Sequence, residues 1–248
     1  MPVYLHNGAM GDIIYALPVL RAQPGILVLT KERQMEFLHP LLALQPYIQE
    51  TTLERPWTKL KDDPNNDPVK EHYIDLRKYR NISEADYTKH LTLCHAEAVS
   101  VPVNSRTQWL YNVIPKYQRS IIINRTKRYH GELNWHLLKS YEEEVGFVGT
   151  EKEYAKFRKE TGVVPEWIPV TDALHMAQVI AGSSLFIGNQ SCAFAIAEAL
   201  KHPRMLEVSH DKPNCMPHSA EGWVELTTGR IERCIEECHN TLTYCLGC

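Results

Sequence analysis

Apolar positions along this chain follow two alternating periods. Short apolar runs at residues 3–5, 26–29, 48–53, 73–76, 120–123, 145–148 and 185–188 read as strands, and 166–170 reads as extended. Between them, residues 12–21, 32–44, 87–98, 133–141, 151–161, 172–182 and 194–200 place apolar side chains at helical spacing. Pro24 and Gly25 separate the first helix from the second strand, and His202-Pro203 stops the last of these helices. The polar stretch 61–68, punctuated by Pro64 and Pro68, predicts an exposed loop whose acids are solvated. Strands alternating with helices imply an α/β fold of doubly wound, mainly parallel sheets, which bind ligands at the carboxyl ends of their strands. Residues 100–117 hold prolines and mixed aromatics suited to a linker. The length fits one large α/β domain or two small ones; taken as two, Rossmann-like domains of residues 1–116 and 117–248 meet at this linker, and the turns after their strands can face one cleft.

Two turns in this pattern carry candidate chemistry. The first runs His6-Asn7-Gly8-Ala9-Met10-Gly11-Asp12 between a strand and an apolar helix. Gly8 and Gly11 allow positive φ or close approach of the backbone to a ligand. Asp12 lies where a helix exposes free N–H groups, and it reads either as the helix cap or as a base. The second turn, Gln190-Ser191-Cys192-Ala193, is small and polar and leads into the helix at 194–200. A helix N-terminus after a strand receives phosphate, because its free N–H groups and its macrodipole both favour an anion.

Together these turns resemble glycosyltransferase family nine, the heptosyltransferase type, whose two-domain fold is called GT-B. Gly11-Asp12 followed by an apolar run and Pro18-Val19-Leu20-Arg21 matches the family's N-terminal turn. Asn189, Ser191, Ala197, Ala199, Leu200 and Pro203 fit its downstream pattern, while Gln190, Cys192, Ala193 and Ala195 stand where the family has Asp, Gly, Pro and His. The strand at 121–123, the run Asn124-Arg125-Thr126-Lys127-Arg128 and Trp135 are similar to the family's first C-domain strand, its basic phosphate-binding residues and its helix tryptophan. The resemblance implies inverting transfer of a sugar from a nucleotide diphosphate sugar, with Asp12 as base and Asn7, Gly8 and Gly11 on the acceptor side. It implies a donor-phosphate site of Arg125, Lys127, Gln190 and Ser191. Gly149 and Thr150 would meet the nucleotide, and Glu198 its ribose. Taken by themselves, Thr150 or Gly149 is a plain helix cap, Glu198 a solvated helix-face glutamate, and residues 125–128 a solvated basic loop.

Composition narrows the partners. With 44% hydrophobic and 23% charged residues the chain has the make-up of a globular protein with a substantial core. A net charge of -3 argues against bulk electrostatic binding of nucleic acid, although a local basic face escapes this test. No apolar run reaches a membrane span and no signal-peptide core follows Met1-Pro2, which places the chain in the cytoplasm. Seven cysteines, an odd number, point to reduced thiols. Cys234, Cys238, Cys245 and Cys248 crowd the C-terminus, the last pair at zinc-knuckle spacing, but Cys234 and Cys238 also share a helix face on which cysteines pack as small hydrophobes. No cofactor is required, no metal is expected at the donor site, and none of the 12 histidines is assigned to catalysis. Three readings follow: transfer to a cell-surface glycan, transfer to a hydroxymethylated pyrimidine of viral DNA, and a noncatalytic nucleotide- or glycan-binding module.

Overall fold

The computed structural model describes residues 1–54, 72–219 and 221–246, with side chains as far as residue 240. The predicted loop at 61–68 lies outside the described residues. Two all-parallel sheets form the frame. The first has β1 (Val3–His6), β2 (Gly25–Leu29), β3 (Ile48–Leu53) and β4 (Ile74–Asp75) in the order β3-β2-β1-β4. The second has β5 (Ile121–Asn124), β6 (Val145–Val148), β7 (Glu166–Ile168), β8 (Leu185–Asn189), β9 (Arg204–Glu207) and β10 (Gly222–Trp223) in the order β10-β9-β8-β5-β6-β7. Around them run α1 (Met10–Ala22), α2 (Glu32–Leu42), α3 (Tyr79–Ala85), α4 (Leu91–Ala98), α5 (Glu151–Thr161), α6 (Ala173–Ala181), α7 (Cys192–Leu200) and α8 (Thr228–Leu246).

One apolar core joins the two sheets. The side chains of Leu17 and Leu20 on α1 and of Phe194 and Ile196 on α7 belong to a single cluster with Tyr4 and Leu27 from the first sheet and Ile122 and Phe186 from the second. Alternate residues of β5 point the other way: Ile121 and Ile123 pack with Phe147, Leu185, Trp135 and Ile231 in a second cluster on the outer face. The chain between the sheets is fastened to both halves. Trp109 is fully buried, its indole N–H donates to the Ile14 carbonyl at 3.1 Å, and its own N–H donates to the Ala199 carbonyl at 2.9 Å.

Four elements differ from the sequence-based reading. The helix expected from residue 87 starts at Leu91, because Asp86 accepts from the N–H of Thr88 at 2.9 Å and closes a turn before His90 can cap α4. The helix expected over 133–141 is a 3₁₀ segment, Trp135–Glu144, broken at Tyr141. Strand β9 and helix α3 were not anticipated. Nor do Gly8 and Gly11 adopt positive φ; both serve close approach instead. A Cβ at residue 11 would lie 3.3 Å from the Ser191 carbonyl oxygen and 3.5 Å from the Cys192 Cα, so Gly11 lets α1 touch the start of α7.

A shared core predicts one unfolding transition. Trp109→Ala removes the side chain that locks the connecting segment between α1 and α7, and should cost about 3 to 5 kcal/mol. Chemical denaturation followed by fluorescence and circular dichroism should give coincident curves for both proteins; two separated transitions in the wild type would contradict the continuous core.

Candidate active site

A cavity of about 300 Å³ is lined by the segments that follow β1, β4, β5, β8 and β9, all at the carboxyl ends of parallel strands. From the first half come Gly11, Asp12, Tyr15, Tyr79 and Arg80; from the second, Arg128, Ser191, Lys212 and Cys215. The cavity therefore lies where the two sheets' loops meet.

Asp12 sits at its base. Because α1 begins at Met10 after Ala9, Asp12 is not the cap but the third residue of the helix, and its carboxylate turns back on the cap. Its Oδ2 accepts from the Ala9 N–H at 2.9 Å and from the Tyr79 hydroxyl at 2.7 Å, while Oδ1 has no hydrogen bond among the described residues. Burial pushes the Asp12 carboxyl above its ordinary range; the bonds from Tyr79 and Ala9 and the charges of Arg80 and Arg128 oppose it. The result is a cavity-lining carboxylate with one oxygen anchored and the other unbonded among the described residues.

Beneath it lies a pair of buried histidines. The Gly8 N–H donates to His6 Nδ1 at 2.9 Å, and the two imidazoles face each other with Nε2 to Nε2 at 3.0 Å. His95 Nδ1 lies 2.8 Å from the Leu91 carbonyl, which only accepts. These bonds have one consistent direction: His6 donates through Nε2–H, and His95 accepts at Nε2 and donates from Nδ1. Both rings are then neutral, in keeping with burial, which holds His6 well below its ordinary range and His95 down at about 3. The Tyr79 ring stacks on His95 with centroids 4.0 Å apart. Two histidines that were not assigned to the chemistry thus form the packed floor under Asp12.

The opposite wall is basic. Asn189 ends β8 fully buried; its Oδ1 accepts from the Thr126 N–H at 3.0 Å and its amide donates to the Arg128 carbonyl, which clamps the turn after β5. Tyr129 continues that turn with φ of +57°, an uncommon conformation for a bulky residue. This turn brings Arg128 to the cavity. Ser191 caps α7, its Oγ accepting from the Phe194 N–H at 3.2 Å, so the helix N-terminus opens on the same space. Lys212 lies over the Tyr87 ring at 4.7 Å.

Several predicted residues fall elsewhere. Arg125 does not line the cavity: it forms a bidentate pair with the buried Glu207 at 2.8 and 2.7 Å and meets Glu160 at 2.7 Å, since a carboxylate as buried as Glu207 requires a cation. Lys127 is exposed, and the neighbouring Arg128 takes the place expected for it. Gln190 lines the cavity, but its amide is engaged by the Lys212 carbonyl at 2.5 Å and by Asn214 Oδ1 at 3.2 Å. Glu198 is neither solvated nor open to a ribose: it is fully buried and paired with Arg204 and Lys201. Asn7 and Gly8 lie behind the wall, where Lys31 and Gln34 bond their carbonyls. Thr150 is a helix cap in a reciprocal pair with Glu153, and Gly149, with φ of +149°, packs against Asn124; neither reaches the cavity of Asp12. Cys234 and Cys238 are buried on one face of α8, and the other half of the cysteine quartet, the Cys245 side chain and Cys248, lies outside the described residues. No group of three or more possible metal ligands occurs among the described residues. Tyr79, Arg80 and Lys212 line the cavity without having been singled out in the sequence: Arg80 stands in the basic run Arg77-Lys78-Tyr79-Arg80 and Lys212 in the polar stretch Ser209-His210-Asp211-Lys212, and neither setting marks a site.

No protein-family model matches the sequence, and no curated protein sequence matches it. The structure does match solved ones. A family 9 glycosyl transferase from Veillonella parvula superimposes with a TM-score of 0.58 at 14% identity, over 93% of this chain and 87% of that one. The Escherichia coli heptosyltransferase WaaC with ADP gives a TM-score of 0.59 at 14% identity, over 96% of this chain and 100% of that one. The same enzyme with ADP-2-deoxy-2-fluoro heptose gives 0.55 at 14% identity, over 96% and 99%. The fold is GT-B. It is the architecture of the solved family 9 glycosyltransferases, shared at 14% sequence identity. Among the described residues no helix is long and apolar enough to cross a membrane.

The anchored, half-buried carboxylate makes a prediction about stability. A carboxyl whose pKa is raised on folding stabilises the native state below its ordinary value of 3.8 and costs stability as pH rises through the folded value. In Asp12→Asn the amide oxygen can take both bonds at the Oδ2 position without a half-buried charge. The variant should therefore gain in melting temperature relative to wild type as pH rises from about 4 to 7; a variant that loses ground over that interval would contradict the assignment.

Proposed function

We propose that this chain transfers a sugar from a nucleotide diphosphate sugar to an acceptor hydroxyl with inversion. The observation that carries the reading is a carboxylate whose Oδ1 has no hydrogen bond among the described residues, set in one cavity with a helix N-terminus and the cations Arg80, Arg128 and Lys212. Asp12 takes the proton of the acceptor hydroxyl through Oδ1, the hydroxyl oxygen attacks the anomeric carbon, and the bond to the donor phosphate breaks with its electron pair. Attack opposite the departing diphosphate inverts the centre. Charge growing on that diphosphate meets the N-terminus of α7, the Ser191 hydroxyl, Arg128 and Lys212. These protein cations supply the neutralisation, so the reading calls for no metal. A noncatalytic binder would have no use for a half-buried carboxylate whose ionisation costs free energy. Since WaaC was solved with ADP, ADP is the first nucleotide to test, and a glycan terminus is the acceptor class that the likeness to heptosyltransferases supports.

Nucleoside diphosphates should stabilise the protein, by about 2.7 kcal/mol at a concentration one hundred times the dissociation constant. Thermal shift with ADP, UDP, GDP and CDP reads this out. Arg128→Ala should remove about 1.5 to 3 kcal/mol of the binding, whereas Arg125→Ala should leave the nucleotide response unchanged, though it lowers basal stability by stranding Glu207. No response to any of the four sinks the donor-site reading. With the responding donor, mass spectrometry of truncated glycans and of DNA bearing hydroxymethylcytosine or hydroxymethyluracil should show a sugar added to the glycan; modification of the DNA alone would overturn the glycan acceptor.

A further inference from the structure

Tyr79 is reached by no feature of the sequence and is held on every side. It opens α3 only four residues beyond the end of β4, which pairs with β1, so it stands beside His6 at the carboxyl end of β1. Its ring stacks on His95 at 4.0 Å and 17° and lies 5.6 Å from that of His6. The neutral histidine pair is tied at both ends to backbone, at the Gly8 N–H and the Leu91 carbonyl, and gives the ring a fixed bed. The phenol is buried, and its hydroxyl meets Asp12 Oδ2 at 2.7 Å. Burial first, and the Asp12 charge next, hold that phenol well above its ordinary range, so it remains a donor throughout the working pH interval.

We infer that Tyr79, seated on the His6–His95 pair, is a positioning residue for the base: it fixes Asp12 Oδ2, so that Oδ1 alone receives the acceptor proton. The inference rests on the proposed transfer and adds to it the oxygen that acts and the group that selects it. Two consequences follow from the geometry. The first is orientation. A carboxylate held only by Ala9 can rotate about its side-chain torsions, and a misplacement of about 1 Å at a reacting group costs on the order of 10²-fold in rate. The second is ionisation. A hydrogen bond donated to the charged carboxylate favours that form, so the phenol counteracts the burial that would keep Asp12 protonated. Arg80 on α3 and Arg128 in the turn after β5 act in the same direction; Arg80 also donates to the Tyr79 hydroxyl at 3.4 Å, a bond that is lost with the phenol.

The test is Tyr79→Phe, which keeps the ring and its stack on His95 and deletes only the hydroxyl. With the responding donor and acceptor, kcat should fall by about 10- to 100-fold while donor KM stays within about twofold. Transfer requires ionised Asp12, so kcat rises with pH through that pKa; without the phenol the acid limb should move to higher pH, and a deficit should persist on the plateau. A group that only packs would leave the limb where it is. The Asp12 carboxyl should also be followed by ¹³C NMR in the ligand-free protein, where its titration should move upward in Tyr79→Phe. An unmoved limb and an unmoved carboxyl titration, in a variant that melts as wild type does, would overturn the inference. If the titration moves in a protein that transfers no sugar, the contact is upheld and the proposed function is what fails.

Discussion

Helices α1 and α7 each follow a strand of a different sheet, and they meet at Gly11, where no side chain separates the α1 backbone from the Ser191 carbonyl. That approach decides where everything else stands. It sets the third residue of one helix, Asp12, beside the first turn of the other, which is the end that attracts phosphate. A side chain at residue 11 would press on the Ser191 carbonyl oxygen at 3.3 Å. The apolar faces of α1 and α7 then pack along their lengths in the core that joins the sheets. Asp12 and the N-terminus of α7 therefore come together through burial of leucine, isoleucine and phenylalanine.

Polar groups fix the remaining wall. Glu198, fully buried on α7, is paired with Arg204 on β9 and with Lys201, and Lys201 in turn donates to the Ser105 carbonyl at 2.7 Å and lies over Trp109. Such charges are costly to bury and tolerable only when each has a partner. The segment beyond β9 returns to the first half: the Asn214 carbonyl accepts from the Leu91 N–H at 2.9 Å and its amide donates to Ser83 Oγ at 3.1 Å. The cavity is thus closed by chain that belongs to one sheet and bonds to helices of the other. Burial of Glu198 removes the carboxylate that a ribose would have met, and whatever holds a nucleoside here uses other groups.

Strands rich in apolar residues were legible because sequence and burial agree: β1, β2, β5, β6 and β8 are built almost wholly from side chains that only a core accepts. Strand β9 was hidden because its ends are Arg204 and Glu207, charged residues that become buried by pairing with Glu198 and Arg125. The two strand–turn–helix sites were visible for the same reason the fold was, since each is a change of period at glycine or small polar residues. Which member of the run Arg125-Thr126-Lys127-Arg128 faces the cavity was not, because it depends on Glu207 and Asn189, which lie far along the chain. His6 and His95 are 89 residues apart and Tyr79 belongs to neither segment, so no local pattern announces their stack. A histidine in the apolar helix at 91–98 was the one trace of it.

The central claim is that Asp12 acts as a base on an acceptor hydroxyl, and Asp12→Asn tests it most directly. The amide keeps the size of the carboxylate and can accept from Ala9 and Tyr79, so folding and nucleotide affinity should be retained while kcat falls by about 10² to 10⁴. Turnover, nucleotide affinity and melting are to be measured on one preparation. Wild-type turnover by the Asn variant would contradict the account and leave Asp12 as no more than the residue that turns back on its helix cap.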